Sequence, residues 1–387
     1  MDLKTAFCNR ADGLWWKKIQ GQKSQWLSAK FSALALLCLT AALLAFPREV
    51  QQSVKNSILY CLTVLTPSLF PFMALTSFAV NSGAGEHLGG ALSFLSRYVF
   101  RLPASCAVPI LLSFLGGYPA GAKGASLLLE QGKLTKEQAG RMMLFCVNPG
   151  IAFVVTFLGG TVLGSFRTGW LLFFSVTAAG ILLGILSGLG TPVPPRESMA
   201  PAPLHGGAVT RSAFDAASAV LKMCACIVLF SGLTTLLHGC GLYQLLSRML
   251  AALKLFTPME AAALLSFLIE VTEGVGAASS LRTGPQFFAF GLAFGGLCVH
   301  LQVFSFFTAF PAKKWKFYCY RFLHGGIAAS LYLLLVKLIP GSSVEALAPV
   351  GAVQSVTALS GTLAGGLSLF LMCLAFLLIS TQEEKSG

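Results

Sequence analysis

The chain has 387 residues, of which 55% are hydrophobic and only 11% are charged, and its mean hydropathy is +0.76. Soluble globular domains have a very different balance, so the composition indicates a polytopic integral membrane protein. The net charge of +13 does not indicate a nucleic-acid-binding protein. Its Lys and Arg residues stand in short clusters between apolar segments, where cytoplasmic loops carry them.

Long apolar segments recur along the chain. A spanning helix needs about 20 mostly apolar residues, and by this rule the sequence predicts an all-α membrane protein with about eight spanning helices. We expect these helices near residues 29–46, 54–80, 140–165, 168–190, 212–238, 286–310, 317–339 and 355–380.

Two further apolar segments do not fit a complete crossing. Residues 104–131 and 257–283 are each too short for two spanning helices, and each is broken near its centre by glycine, proline or charged residues. We therefore expect two re-entrant helical hairpins, which enter and leave the membrane on the same side. Irregular backbone at membrane depth is tolerated only where protein or a water-filled cavity satisfies it, so the tips are expected to face an interior site.

One segment of the sequence occurs twice. Residues 111–128 and 264–281 agree at about nine of eighteen positions without a gap, against roughly two by chance. Each hairpin also follows a stretch of mixed polarity, at 84–102 and 240–256, which predicts an interfacial helix. The predicted trace crosses the membrane three times between the hairpins, an odd number, so the two related halves are expected to form an inverted repeat.

The repeat and the charge distribution predict five segments. The count of Lys and Arg is about nineteen inside and about six outside if the N-terminus is cytoplasmic, so we expect both termini to be cytoplasmic. The segments are 1–53, an N-terminal cytoplasmic segment and first helix; 54–190, the first repeat with hairpin 104–131; 191–211, a Pro-rich cytoplasmic linker; 212–339, the second, inverted repeat with hairpin 257–283; and 340–387, a C-terminal helix and tail.

The break in the first hairpin has the composition of an anion site. Gly117 and Gly121 allow close approach of the backbone, and Pro119 favours the first turn of a new half-helix. The amides of that turn carry partial positive charge and Lys123 adds a full charge, so we expect Tyr118 and these residues to bind an anionic group. The alternative is a tight packing turn in which Lys123 extends to the surface.

The second hairpin carries carboxylates at the matching positions. Carboxylates in an apolar segment are costly and mark ion or proton pathways. Glu270 is predicted to bind a coupling sodium ion together with Thr272, or to take up a proton, and Glu273 is a second candidate for this role. Thr272 and Gly274 are predicted substrate-binding residues. The alternative is that both carboxylates reach water at a shallow tip.

Polar groups also follow each hairpin. Asn148 precedes a Pro-Gly pair that should open its helix and free carbonyls for a substrate, whereas His300 and Gln302 fit a structural hydrogen bond or a ligand contact equally well. The sequence contains no phosphate loop, nucleophile elbow, zinc signature or dinucleotide fingerprint. We expect no enzymatic activity and no metal or cofactor beyond a coupling sodium ion or proton. The expected partners are a small-molecule substrate and the lipid bilayer, with a homo-oligomer left open.

Three motifs carry a family resemblance: Pro67-Ser68-Leu69-Phe70-Pro71-Phe72, Gly117-Tyr118-Pro119-Ala120-Gly121-Ala122-Lys123, and the segment from Phe145 to Gly150. They resemble sporulation integral membrane proteins of the YlbJ type, in the nucleoside-recognition or Gate-domain group, whose hairpins are similar to those of concentrative nucleoside transporters. The resemblance implies a spore-forming bacterium, an inverted-repeat transporter fold with Gate-like repeats, and a role in spore maturation. Movement of dipicolinate across a forespore membrane is the activity it suggests.

Three functions are therefore open. The leading hypothesis is a secondary transporter of a small polar or anionic metabolite, with dipicolinate as the favoured substrate. The second is a non-transporting membrane scaffold in sporulation. The third is a sodium-coupled nucleoside transporter, which ranks below anion transport because the chain offers few polar groups for ribose and base.

Overall fold

The computed structural model describes residues 30–83 except 31, 32 and 35, residues 92–195, and residues 207–339. All regular secondary structure in these ranges is helical. The predicted helix at 355–380, most of the N-terminal segment and much of the Pro-rich linker lie outside the described residues. The all-α membrane architecture is confirmed within them.

Fifteen helices follow one another in the described ranges. They are α1 Leu36–Ala45, α2 Pro47–Asn81, α3 Leu92–Val99, α4 Ala107–Gly116, α5 Tyr118–Glu130, α6 Lys136–Phe145, α7 Ala152–Val162, α8 Phe166–Gly188, α9 Ala208–Gly239, α10 Leu242–Ala252, α11 Pro258–Ile269, α12 Val271–Ser280, α13 Pro285–Phe294, α14 Gly296–Ser305 and α15 Lys314–Leu338.

Five segments of the described chain are long and apolar enough to cross a membrane: α2, α8, α9, α15 and the pair α13–α14. A sixth is added if α3 and the segment Ala104–Gly116, which are bent by 112°, are counted as one span. The lateral surface fits a lipid environment, since α9 alone exposes Phe214, Leu221 and Leu229.

The predicted spanning helix at 140–165 is interrupted at the Pro149-Gly150 pair, as the sequence indicates, and the break extends over residues 146–150. Helix α6 starts at a capping box on Thr135 and ends at Phe145, and the chain is helical again only from Ile151 into α7. Pro149 lies in this gap, where it has no backbone N–H to donate. The Asn148 amide nitrogen donates to the Phe145 carbonyl at 2.7 Å, so the side chain satisfies a carbonyl that the helix end leaves free.

The described helices have the same order in both halves of the chain. A long helix, a short helix, a pair of half-helices, an interrupted helix and a second long helix make up α2–α8, and the same series makes up α9–α15. Long helices pack on their counterparts, α2 on α9 and α8 on α15. The half-helices break at Gly117 and at Glu270, which are matching positions of the sequence repeat. The element order therefore agrees with an internal repeat.

Each pair of half-helices folds back on itself. A Cβ added at Gly121 would lie 2.7 Å from the Ser113 Cβ, and one added at Gly124 would lie 2.8 Å from the Pro109 Cβ. The second contact lies farther from the break than the first in both helices, which shows that α4 and α5 are antiparallel. In the second pair, Gly274 lies against the Phe267 ring. We call α4–α5 the first hairpin and α11–α12 the second hairpin.

The hairpin arms are packed too closely to accept a methyl group at Gly121. An alanine Cβ there would overlap the Cys146 carbonyl oxygen, so we expect Gly121→Ala to lower the free energy of unfolding by about 1–3 kcal/mol. Thermal melting of the purified protein in detergent measures this loss. Gly276→Ala is the matched control, because nothing lies within 4 Å of its added Cβ. Equal melting temperatures for the two variants would contradict the close packing.

Candidate functional site

The two hairpin tips meet at one cavity of about 70 Å³. A single water needs roughly 10–15 Å³ on this measure, so the cavity can hold several waters or a small polar group. Helices α2, α7, α9 and α14 complete its wall. The lining residues are Val64, Leu65, Ser68, Leu69, Phe72, Leu115, Gly116, Gly117, Tyr118, Pro119, Gly150, Ala152, Phe153, Phe157, Met223, Ile227, Glu270, Val271, Thr272, Val299 and Gln302.

Glu270 carries the only charged side chain among these lining residues. The wall is otherwise mostly apolar, with polar side chains at Ser68, Tyr118, Thr272 and Gln302. Charges interact more strongly in such surroundings than in bulk water. The ionic state of one carboxylate therefore dominates the electrostatics of the cavity.

Glu270 is held by one of its two carboxylate oxygens. Its Oε2 accepts the Glu273 backbone N–H at 2.8 Å and also accepts the Thr272 hydroxyl, and Glu270 thereby caps the first turn of α12. Its Oε1 accepts no hydrogen bond from any residue that the structure describes. The side chain is largely buried, with Glu270 only 6% exposed. This arrangement fixes the carboxylate while leaving one oxygen for a proton or a cation.

The matching position in the first hairpin has no side chain. Gly117 precedes α5 with φ of 105°, a conformation that favours glycine, and no described side chain caps this helix start. Both α5 and α12 therefore begin at the cavity wall, with the partial positive charge of a helix N-terminus. The protein supplies its own carboxylate at one start and none at the other.

The end of α13 links the first hairpin to the second half. The Tyr118 hydroxyl donates to the Leu292 carbonyl at 2.7 Å, across the two halves of the chain. Arg321 is completely buried and donates from Nε to the Phe294 carbonyl at 3.1 Å and from Nη2 to the Ala293 carbonyl. These donors satisfy the carbonyl end of a helix that stops inside the protein. The Tyr118 contact also holds the first hairpin tip against the second half.

Sequence reasoning did not single out Arg321. The signal that could have found it is a basic residue within the apolar segment that the sequence predicts to span the membrane at 317–339. The structure places its guanidinium beside His324, with Nη1 and Nδ1 3.1 Å apart, and His324 Nε2 lies 2.9 Å from the Val176 carbonyl. A buried cation therefore stabilises the interior of the bundle.

Several predicted site residues lie at the cavity. Gly117, Tyr118, Pro119, Glu270 and Thr272 all line it, so the structure brings the two hairpin breaks together.

Most of the remaining predicted residues lie around the cavity, and only Gln302 among them lies in its wall. Gly121 and Gly274 pack the hairpin arms, and Asn148 is buried at the end of α6. Gln302 lines the cavity, whereas His300 lies against the Phe294 carbonyl at 2.9 Å. These contacts give Asn148 and His300 a role at helix ends.

Two predicted charged residues have partners outside the cavity wall. The Lys123 ammonium forms an ion pair with the Asp215 carboxylate at 3.0 Å, and Asn81 donates to the same carboxylate at 3.0 Å. Glu273 lies 3.5 Å from His238. Their roles in binding remain predictions, and the geometry gives Lys123 a partner within the protein.

Comparison with known proteins agrees with the membrane fold. The chain is 26% identical over 347 residues, 78% of this chain and 81% of the relative, to the sporulation integral membrane protein YlbJ of Bacillus subtilis (strain 168). The chain is a relative of YlbJ. The predicted resemblance to YlbJ-type proteins is thereby confirmed, while the Gate-domain part of it stays a prediction. No protein-family model matches the chain, and no solved structure matches it.

The ion pair between Lys123 and Asp215 predicts a stability coupling. Lys123→Met leaves the partly buried Asp215 carboxylate without its cation, so we expect a loss of about 1.5–3 kcal/mol in the free energy of unfolding. The double variant Lys123→Met/Asp215→Asn removes both charges and should recover most of this loss. Melting of the two single variants and the double variant measures the coupling, and additive losses would contradict it.

Proposed function

We propose that this YlbJ relative is a secondary transporter in a spore-forming bacterium, moving a small polar or anionic metabolite during spore maturation. Dipicolinate is the favoured substrate, on the resemblance described above. The observation that carries the proposal is the convergence of two matched helix breaks, one from each half, on a cavity whose one charged lining side chain is Glu270. Transporters built from internal repeats place their sites between broken helices in this way.

The hairpins are proposed to be re-entrant and the repeat inverted. Helices of 10 to 13 residues extend about 15–20 Å, short of the roughly 30 Å hydrocarbon core, so neither arm crosses the membrane alone. The two tips then meet near the midplane from opposite sides. Rocking of one half against the other exposes the cavity to each side in turn, in a cytoplasmic or forespore membrane.

The uncapped start of α5 suits an anionic guest. At α12 the Glu270 carboxylate occupies the positive end of the helix, and at α5 no described side chain does so. A substrate carboxylate placed beside Gly117 takes the equivalent position, where helix N-termini favour negative charge. The sequence prediction of an anion site at Gly117 to Pro119 therefore remains, with Lys123 contributing from outside the cavity wall.

A carboxylate substrate and Glu270 must share one small cavity, and this requirement couples transport to a cation. Two negative charges about 6 Å apart repel by roughly 3 kcal/mol at an effective dielectric constant of about 20. Binding of the anion is therefore favoured once Glu270 has taken up a cation. Cation-coupled symport follows from this electrostatic competition, with a proton or a sodium ion as the coupling ion.

A nucleoside substrate is less well supported by the cavity. Ser68, Thr272 and Gln302 are its uncharged polar side chains besides Tyr118, and Tyr118 already donates to Leu292. Ribose and base carry many hydrogen-bonding groups, and each group left unpaired on burial carries a cost. A small anion has fewer hydrogen-bonding groups than a nucleoside, so it is better matched to the few polar side chains of the cavity.

Substitution of Glu270 tests the proposed coupling. We expect Glu270→Gln to reduce gradient-driven uptake of labelled dipicolinate into proteoliposomes at least tenfold, because the amide cannot take up the coupling ion. Proton and sodium gradients are applied separately. Glu49→Gln is the control, since Glu49 is an exposed carboxylate on α2 outside the cavity wall.

Full uptake by Glu270→Gln would exclude the coupling role. If the folded wild-type protein moved neither dipicolinate nor a nucleoside under any gradient, the scaffold function would replace transport.

The charge of the substrate gives a second test. We expect excess dipicolinate to compete with labelled dipicolinate, and its neutral diamide to compete at least tenfold less well, because the amide lacks the charge that the start of α5 attracts. Uptake in the presence of each competitor measures the preference. Equal competition by the diamide would contradict an anion site.

A further inference from the structure

A second polar cluster lies near Glu270, and its members are not among the residues that line the cavity. His238, near the end of α9, places its Nε2 3.5 Å from the Glu273 Oε1. Their side chains are 43% and 33% exposed, whereas Glu270 is 6% exposed. The Glu273 backbone N–H donates to Glu270 Oε2, so the two carboxylates belong to one helical turn. The cluster therefore places an accessible imidazole beside the helical turn that holds the buried carboxylate.

We propose, on the basis of the transport function above, that His238 and Glu273 form the route by which a proton reaches Glu270, and that the coupling ion is a proton. Imidazole and carboxylate are the side chains that relay protons through membrane proteins. The order of exposure falls from His238 through Glu273 to Glu270, as an entry route requires.

The transfer conserves protons and charge at every step. A hydronium ion gives a proton to His238 Nδ1 and becomes water, and the imidazolium releases its Nε2 proton to Glu273 Oε1. The imidazole returns to its starting tautomer when Nδ1 loses its proton to water and Nε2 takes up another from water. Glu273 then passes the proton to Glu270, directly or through one water, and returns to its ionised state. Only N–H and O–H bonds form and break. Glu270 becomes neutral, and the repulsion that opposes a substrate carboxylate is removed.

The surroundings hold the imidazole in place. The Tyr243 ring of α10 stacks on His238 with centroids 3.8 Å apart. The Tyr243 hydroxyl donates to the Ala262 carbonyl and is 2.7 Å from the Ser266 hydroxyl, so α11 fixes this ring in turn. The titratable groups around Glu273 are thus His238 of α9, Tyr243 of α10 and Glu270, and the Thr234 hydroxyl also contacts Glu273.

Two assays separate proton delivery from substrate binding. Proton-driven uptake requires Glu270 to load and release a proton in every cycle, whereas counterflow exchange of labelled for unlabelled dipicolinate proceeds with the proton retained. We compare His238→Phe, which keeps a ring against Tyr243, and Glu273→Gln, which keeps the size of the side chain. Cys240→Ala is the control, because Cys240 is exposed at the same end of α9.

We expect both relay variants to lower proton-driven uptake at least tenfold and to change counterflow by less than twofold, with Cys240→Ala unchanged in both assays. Equal losses in uptake and counterflow would show a structural role and overturn the relay. Unchanged uptake would overturn it as well, as would uptake driven by sodium alone. Absence of counterflow in the wild-type protein would instead refute the transport function, so the two failures are distinguishable.

Discussion

Helices that end inside an apolar bundle leave backbone groups that must find partners without water, and the whole interior of this protein depends on meeting that requirement. Helix α12 starts on the Glu270 carboxylate, and α6 ends on the Asn148 amide. Helix α13 ends on donors from Tyr118 and Arg321. These three helix ends are therefore each satisfied by particular side chains, and the Tyr118 contact joins one half of the chain to the other. The cavity lies where these interruptions converge.

The two halves share a helix order but carry different residues at the break of each hairpin. Gly117 and Glu270 occupy matching breaks, and both line the same cavity. One half contributes a carboxylate and the other an uncapped helix start, so the repeat builds a site with two unlike ends. Divergence at this matched pair gives one side of the cavity a carboxylate and the other side the partial positive charge of a helix start.

Buried charge in this protein is used mainly to hold helices together. Lys123 pairs with Asp215, and Arg321 binds carbonyls at the end of α13. A cation that loses its hydration must gain hydrogen bonds or a counter-charge, and both residues do so within the protein. Glu270 differs because only Oε2 is engaged by described residues. The free oxygen of Glu270 and its position in the cavity wall distinguish this candidate functional carboxylate from the ions that hold helices together. The chain in which it lies is a relative of a sporulation membrane protein.

The sequence by itself determined the membrane class of the protein and the positions of α8, α9 and α15 within a few residues. It also determined where both hairpins break. These features could be predicted because apolar length and interrupting residues are local properties of the chain. The sequence also singled out Glu270 and Thr272, which the structure places in the cavity wall. Only the tertiary structure decided that Lys123 faces Asp215 and that Arg321 is buried. Those outcomes depend on which helix faces which across distant parts of the chain, and hydropathy along one segment carries no information about its neighbours in space.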